Sequence, residues 1–303
     1  MHLRRAAIAA VPLLLAIGAC APAEDDEPTT ASDASGDTAG ETSGDPTDAA
    51  ADDACATDQL PLLTDGTLTI GTDSPAFEPW FVDNDPTNGE GFESAVAYAV
   101  ADQLGFSEDQ VTWVTVPFNT SYRPGQKNFD FDINQISITP ERAEVVDFSD
   151  GYYAAAQAVV ALEGTPGAEA TSLADLQGLR LGAQTGTTSL TAIRDVIQPD
   201  SEPLVFEDTN TAKQALQNDQ VDAILADLPT AFFISAVEIE DSTIVGQFQV
   251  EGDATEEFGM LFEKGNPLVD CVNEALATLE SDGTLAAIEE EWLSDVVDVP
   301  ELQ

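Results

Sequence analysis

From residue 66 onward, apolar residues fall into short β-type runs separated by stretches with helical spacing. Residues 66–71 (GTLTIG) predict a strand, and a Pro-rich loop follows through Pro86. Across 93–104, Val96, Val100 and Leu104 recur at i, i+4 and form one apolar stripe, which predicts a helix. Strands are expected at 111–116 and 130–138. Directly after the second of these, Thr139-Pro140-Glu141-Arg142 has the form of a helix start, with Thr as N-cap, Pro at the first helical position and an acid in the first turn. Further strands are expected at 179–183, 204–207 and 221–226, with helices at 187–197 and 209–218 between them. This β-α-β-α order predicts an α/β fold of mainly parallel sheets flanked by helices. In such sheets ligands sit beyond the C-terminal ends of the strands.

The first 58 residues break this pattern. His2, Arg4 and Arg5 precede an apolar run over 6–17, shorter than the roughly 20 residues a spanning helix needs, so the segment reads as a secretory signal. Ile17-Gly18-Ala19-Cys20 resembles the lipobox of bacterial lipoproteins, which implies a signal peptide over 1–19 and lipid on Cys20. A simple signal peptide cut at Ala19 or Ala21 is the other reading. Residues 21–58 are Ala, Thr, Ser, Gly, Pro and acids without aromatics, too little apolar surface to offset the entropy of ordering, so they are expected to be a disordered tether. Two cysteines remain, Cys55 and Cys271, and an exported chain favours their pairing as a disulfide over two buried thiols.

Charge narrows the partners. The chain has 57 acids against 9 bases, a formal net charge of −48. Nucleic acid and anionic membrane surfaces both call for a basic face and are not expected. The tether carries twelve of the acids and no base, which leaves 45 acids against seven bases in 59–303.

Three positions could carry function. Arg142 lies in the first turn of a helix after a strand, and its planar fork suits a carboxylate; a surface pair with Glu141 or Glu144 is the alternative. Gly186-Thr187-Thr188 opens a helix, whose first N–H groups attract anions, or else Thr simply caps it. Asp227 follows an apolar strand and could bind an ammonium group, or cap the helix begun by Pro229.

Taken together these motifs resemble one family. Residues 137–149 (SITPERAEVVDFS) resemble the signature of family 3 extracellular solute-binding proteins, the polar amino-acid-binding class. Leu68-Thr69-Ile70-Gly71-Thr72-Asp73 with Pro79-Trp80, Gly91-Phe92-Glu93, Ser172-Leu173-Ala174-Asp175-Leu176, Val221-Asp222-Ala223 through Asp227, and Asp282-Gly283-Thr284 before Trp292 are similar to further parts of it. The resemblance spans 60–294. It implies a two-lobed periplasmic-binding-protein-like fold joined by two hinge strands, with 59–156 and 251–298 as one lobe, 157–250 as the other and 299–303 as a tail. It implies that Arg142, helped by N–H groups of Thr188 and Ser189, clamps a ligand α-carboxylate. Asp227 would bind the α-ammonium with Gln135 and Ser137, Phe77 would be an aromatic lid, and Trp80 and Phe118 would wall the side-chain pocket beside Asp73. Asn134-Gln135 stands where the family has small residues and Asp132 where it has an apolar one. These polar groups shrink the pocket or bond a polar side chain, unless Asp132 is a buried structural carboxylate. Arg123 either reaches the cleft or is solvated.

The expected function is capture of a small polar amino acid, neutral or cationic, for an ABC permease, by a monomer anchored through Cys20 to the outer face of the cytoplasmic membrane. No catalytic residue, metal or cofactor is expected, since the only histidine, His2, leaves with the signal and no Cys/His metal spacing exists. A carboxylate-only enzyme on the same fold, of the cyclohexadienyl dehydratase type, is the alternative. A sensor ectodomain would need a transmembrane helix and a signalling domain, which this sequence does not contain.

The acidic excess in 59–303 reads as adaptation to high salt, where screening removes self-repulsion. The midpoint of thermal unfolding is expected to rise with salt concentration; a midpoint indifferent to salt removes this reading.

Overall fold

Ten strands gather into two five-stranded sheets in the computed structural model, which describes residues 55–250, 256–293 and 299–303. The expected signal segment, Cys20 and the tether as far as residue 54 lie outside the described residues, as do 251–255 and 294–298. The first sheet holds β1 (Leu68–Thr72), β2 (Val111–Thr115), β3 (Phe131–Asp132) and β4 (Val146–Ala155). The second is built from β5 (Gln157–Leu162), β6 (Leu181–Gln184), β7 (Leu204–Phe206), β8 (Ala223–Asp227) and β9 (Ser242–Phe248). The last strand, β10 (Glu256–Glu263), returns to the first sheet, giving the orders β2-β1-β3-β10-β4 and β7-β6-β8-β5-β9.

The sheets are mixed rather than mainly parallel. β1 pairs in parallel with β2 and β3, and β6 with β7 and β8, as the alternation predicts. β10 is antiparallel to β3 and β4, and β5 is antiparallel to β8 and β9. The cause is the chain's passage between sheets. β4 and β5 are separated only by Ala156 and lie in different sheets, so the chain runs straight from one lobe into the other and lies antiparallel to its neighbours in each. Each sheet with its helices forms one lobe of a two-lobed α/β fold.

The helices are α1 (Phe92–Gln103), α2 (Phe118–Ser121), α3 (Pro140–Ala143), α4 (Leu173–Leu176), α5 (Thr188–Ala192), α6 (Thr209–Gln217), α7 (Leu228–Phe233), α8 (Leu268–Ser281) and α9 (Thr284–Leu293). In the first lobe the wholly buried β1 packs with α1, α8 and α9, and Trp80, Phe92, Tyr153 and Phe258 meet edge to face or tilted. In the second, Leu181, Ile193 and Ile197 cover one face of the sheet and Ala212, Leu216 and Ile234 the other.

Two local departures shape the site. The strand expected over 130–138 shrinks to β3, because Gln135 takes a left-handed φ of 46° and turns the chain away from the sheet. Glu93 holds that turn by accepting from the Gln135 backbone N–H at 2.6 Å and from its side-chain amide. The helix expected over 187–197 is α5 continued by a wider π turn, Ile193–Ile197.

Residues 55–58, which composition placed in the tether, are tied to the fold. Cys55 and Cys271 are joined by a disulfide, so the start of the fold is pinned to α8. Thr57 adds a bond from its hydroxyl to Leu104 O at 2.8 Å. At the other end Leu302 is buried in the second lobe's core, the Gln247 N–H donates to Pro300 O, and the Leu302 N–H donates to Gln247 O. Among the described residues no helix is long and apolar enough to cross a membrane.

Candidate functional site

The C-terminal ends of β1, β3, β6 and β8 converge on a narrow cavity of about 50 Å³ between the lobes. The first lobe lines it with Asp73, Phe77, Phe118, Asn134, Gln135 and Ser137, and the second with Gln184, Thr187, Thr188, Ser189, Thr209, Asp227 and Thr230. Nine of the eleven residues expected from sequence to bind ligand are in this wall. Arg142 and Trp80 are the two that are not.

Arg142 stands one layer back. The helix start reads as expected: the Thr139 hydroxyl accepts the Arg142 N–H and Pro140 opens the helix. The guanidinium is 4.9 Å from the Tyr122 ring and 5.6 Å from that of Phe118. Its Nη1 donates to Ser137 O at 2.7 Å in the first lobe, and Nη2 to Gly186 O at 2.9 Å in the second. It is therefore no surface ion pair but a buried cation whose fork already spans the cleft. Burial pulls its pKa below the usual guanidinium value, against the attraction of nearby acids including Glu256 and Asp227.

Trp80 is not a pocket wall. It is fully buried in the first lobe's core because its large ring packs among Phe92, Tyr153 and Phe258. It touches the site only through its indole N–H, which donates to Thr230 Oγ1 at 2.8 Å across the cleft. Asp132, beneath the site, faces Lys127 and Gly71 with neither oxygen hydrogen-bonded, and burial raises its pKa well above the usual carboxylate range. It is the buried carboxylate of the two readings, and its environment favours the protonated form. Arg123 is exposed.

Asp227 lies where β8 ends, partly buried, and Pro229 follows in α7; its side chain caps nothing. Oδ1 accepts from Gln157 Nε2 at 3.1 Å. Gln157 shares that amide with Glu256 Oε2 at 3.0 Å, so one neutral donor serves two carboxylates. Burial first, then the repulsion of Glu256, pushes the Asp227 pKa up to about 8. Glu93, behind the cavity, is likewise raised to about 7 by burial, although Tyr152 and Gln135 donate to it. Asp73 accepts the Phe118 N–H at 3.1 Å and lines the cavity together with Phe77 and Phe118. Burial raises its pKa too.

Thr188 and Ser189 open α5, whose first N–H groups have no acceptor within the helix. The preceding Gly186 has φ +76°, and a Cβ there would sit 2.2 Å from the Tyr122 hydroxyl of the other lobe. Glycine is thus needed both for the turn and for the close approach. Sequence reasoning missed Gln157, Glu256 and Tyr122. Gln157 had a signal, a single polar residue opening a strand that is otherwise Ala, Val and Leu.

The profile of the bacterial extracellular solute-binding proteins, family 3, matches residues 68–295. The chain belongs to that family. Like it, the L-cystine-binding protein TcyJ of Escherichia coli (strain K12) shares the core, with 29% identity over 230 residues, 75% of this chain and 82% of TcyJ. A solved ancestral arginine-binding protein bound to glutamine is 31% identical, covers 76% of this chain and 99% of its own, and superposes with a TM-score of 0.64. The ancestral amino-acid-binding protein AncCDT-1, a precursor of cyclohexadienyl dehydratase, is 29% identical over 75% of this chain and 95% of its own, with a TM-score of 0.61. As a family 3 protein the chain falls among extracellular proteins.

The raised Asp227 pKa has a consequence for the ligand-free protein. The folded chain keeps a proton that the unfolded chain releases from about pH 4, so its contribution to stability is fully present below the ordinary value of 3.8 and is lost as pH rises toward about 8. Glu93 acts in the same direction up to about 7. Asp227→Asn is expected to flatten the decline in stability between about pH 4 and pH 8, measured by denaturant unfolding. Parallel profiles for the two proteins contradict the assignment.

Proposed function

We propose that this protein captures a free amino acid by hinge closure and delivers it to an ABC permease as an extracellular lipoprotein. One observation carries the reading: a buried guanidinium from one lobe and an underpaired carboxylate from the other meet at the same cleft. A zwitterion brings the two complementary charges. Its α-carboxylate lies against the first-turn N–H groups of Thr188 and Ser189, with the Arg142 charge behind Ser137 and Phe118. Its α-ammonium lies against Asp227, with Ser137 and Gln135 beside it. Binding the ammonium favours ionised Asp227, so the proton held there is released to solvent as ligand enters.

The far end of the cavity supports a cationic or polar side chain. Asp73 offers a carboxylate there, Phe77 and Phe118 offer aromatic faces, and Asn134 Nδ2 is buried without a hydrogen-bond partner. Cations stack favourably on such rings. An acidic side chain would face Asp73 and is rejected. The relatives support this range, since one binds L-cystine by name and another is an arginine-binding protein bound to glutamine.

Residues 59–156 with 251–298 form one closing body in this reading and 157–250 the other, and ligand shifts the population toward the closed form because it touches both. Acyl chains on Cys20 hold the monomer at the outer face of the membrane, and the 20–54 segment sets its effective concentration near the permease. No cofactor or metal takes part. A carboxylate-only dehydratase is the second reading. It draws on Asp227, which retains a proton near neutral pH as a general acid does, and turnover of cyclohexadienyl acids would establish it.

A thermal-shift screen of amino acids tests the proposal, because bound protein melts higher. Arginine, lysine or glutamine is expected to raise the midpoint and glutamate to leave it unchanged. Arg142→Ala is expected to weaken binding by about tenfold or more by calorimetry with the circular dichroism spectrum preserved. Equal affinity in the variant, or stabilisation by glutamate alone, contradicts the reading.

A further inference from the structure

Glu256 opens β10, where the chain re-enters the first lobe. Its Oε1 accepts from Ser137 Oγ and from Thr188 Oγ1, both at 2.5 Å, and its Oε2 accepts from Gln157 Nε2 at 3.0 Å. Ser137 belongs to the first lobe, bridged to Phe258 of β10. Thr188 opens α5 of the second, and Gln157 begins β5 at the crossing itself. One carboxylate is therefore bonded to both lobes and to the hinge. Any opening that parts Ser137 from Thr188, whose hydroxyl oxygens are 3.2 Å apart, has to break one of these bonds.

We propose that Glu256 is a positioning residue, a built-in clasp that holds the lobes closed around the cleft before a ligand enters. The clasp sets Asp227 and Arg142 at the separation a small zwitterion needs; only this purpose rests on the amino-acid reading, since the bonds themselves require no ligand. Other links cross the cleft, Arg142 to Gly186 O, Trp80 to Thr230, the Ser137–Thr188 hydroxyl pair and Lys213 Nζ over the Phe77 ring at 5.4 Å, but each joins one pair of groups, whereas Glu256 gathers three donors. The charges facing Glu256 are Arg142 on α3, Asp227 at the end of β8 and, beyond Asp227, Glu93 on α1. Arg142 attracts the clasp, and Asp227, which holds its proton in the ligand-free protein, sets no full charge against it. A ligand that touches Asp227 in one lobe and Ser137 and Gln135 in the other adds links to the same closure, which couples occupancy to conformation.

Small-angle X-ray scattering of the ligand-free chain, wild type, Glu256→Ala and Glu256→Gln, tests this directly. Wild type is expected to scatter as the closed form. Glu256→Ala is expected to show a larger radius of gyration with an unchanged circular dichroism spectrum. Glu256→Gln keeps an oxygen that accepts both hydroxyls and is expected to restore compactness, a rescue that general damage to the fold would not give. For an amino acid that binds wild type, Glu256→Ala is expected to bind about tenfold more weakly, in proportion to the fall in the closed population. A Glu256→Ala protein as compact as wild type overturns the clasp, whatever the cleft binds. Failure of every amino acid to bind wild type, with Glu256→Ala expanded, removes the zwitterion reading and leaves the clasp in place.

Discussion

Asp227 is a carboxylate with too few partners, and much of the cleft follows from that. It sits at the end of a buried strand, shares one amide donor with Glu256, and has the Glu93 carboxylate nearby. A buried charge without compensation costs several kcal/mol, so the group holds a proton instead. Arg142 is the nearby cation, and its fork is already engaged by two backbone carbonyls. The site therefore favours a small molecule that carries its own positive charge. It also offers the helix start of α5 to the negative charge of that molecule.

The fold makes this shortage of partners useful. β4 runs into β5, and β9 leads back to β10, so each sheet gives up a fully parallel ladder for strands that pass between lobes. Those crossings put Gln157 and Glu256 at the back of the cleft, on the hinge rather than on either lobe's rim. The groups that touch across the gap are small or single: a glycine carbonyl, a threonine hydroxyl, one indole N–H. Large apolar contact is kept inside the lobes, where Trp80 and its neighbours form a rigid aromatic core. Closure is thereby left to a few polar bonds, which a ligand can supplement.

How much of this was legible in the sequence depended on how local the signal was. The helix start at Thr139-Pro140 could be read because capping is a short-range pattern, and the structure has the same bond. Apart from β3, the parallel strands could be read from their apolar runs, with ends shifted by at most two residues. β4, β5, β9 and β10 were not read, and the antiparallel pairings followed from passage between sheets, a tertiary matter. The turn at Gln135 depended on Glu93, 42 residues away, and no local spacing revealed it. Trp80 was assigned to the pocket by the family resemblance; the core had the stronger claim on so large a ring. Glu256 was hidden among 57 acids, where one more Glu carries no information until its three donors are seen.

The central claim is that Asp227 and the Arg142 side of the cleft grip the two ends of one zwitterion. A crystal structure of the protein grown with L-arginine tests it most directly. The account requires the α-ammonium within hydrogen-bond distance of Asp227, the α-carboxylate on the Thr188 and Ser189 N–H groups, and the guanidinium toward Asp73 between Phe77 and Phe118. Arginine bound outside this cavity, or lying in it with its carboxylate against Asp227, contradicts the account.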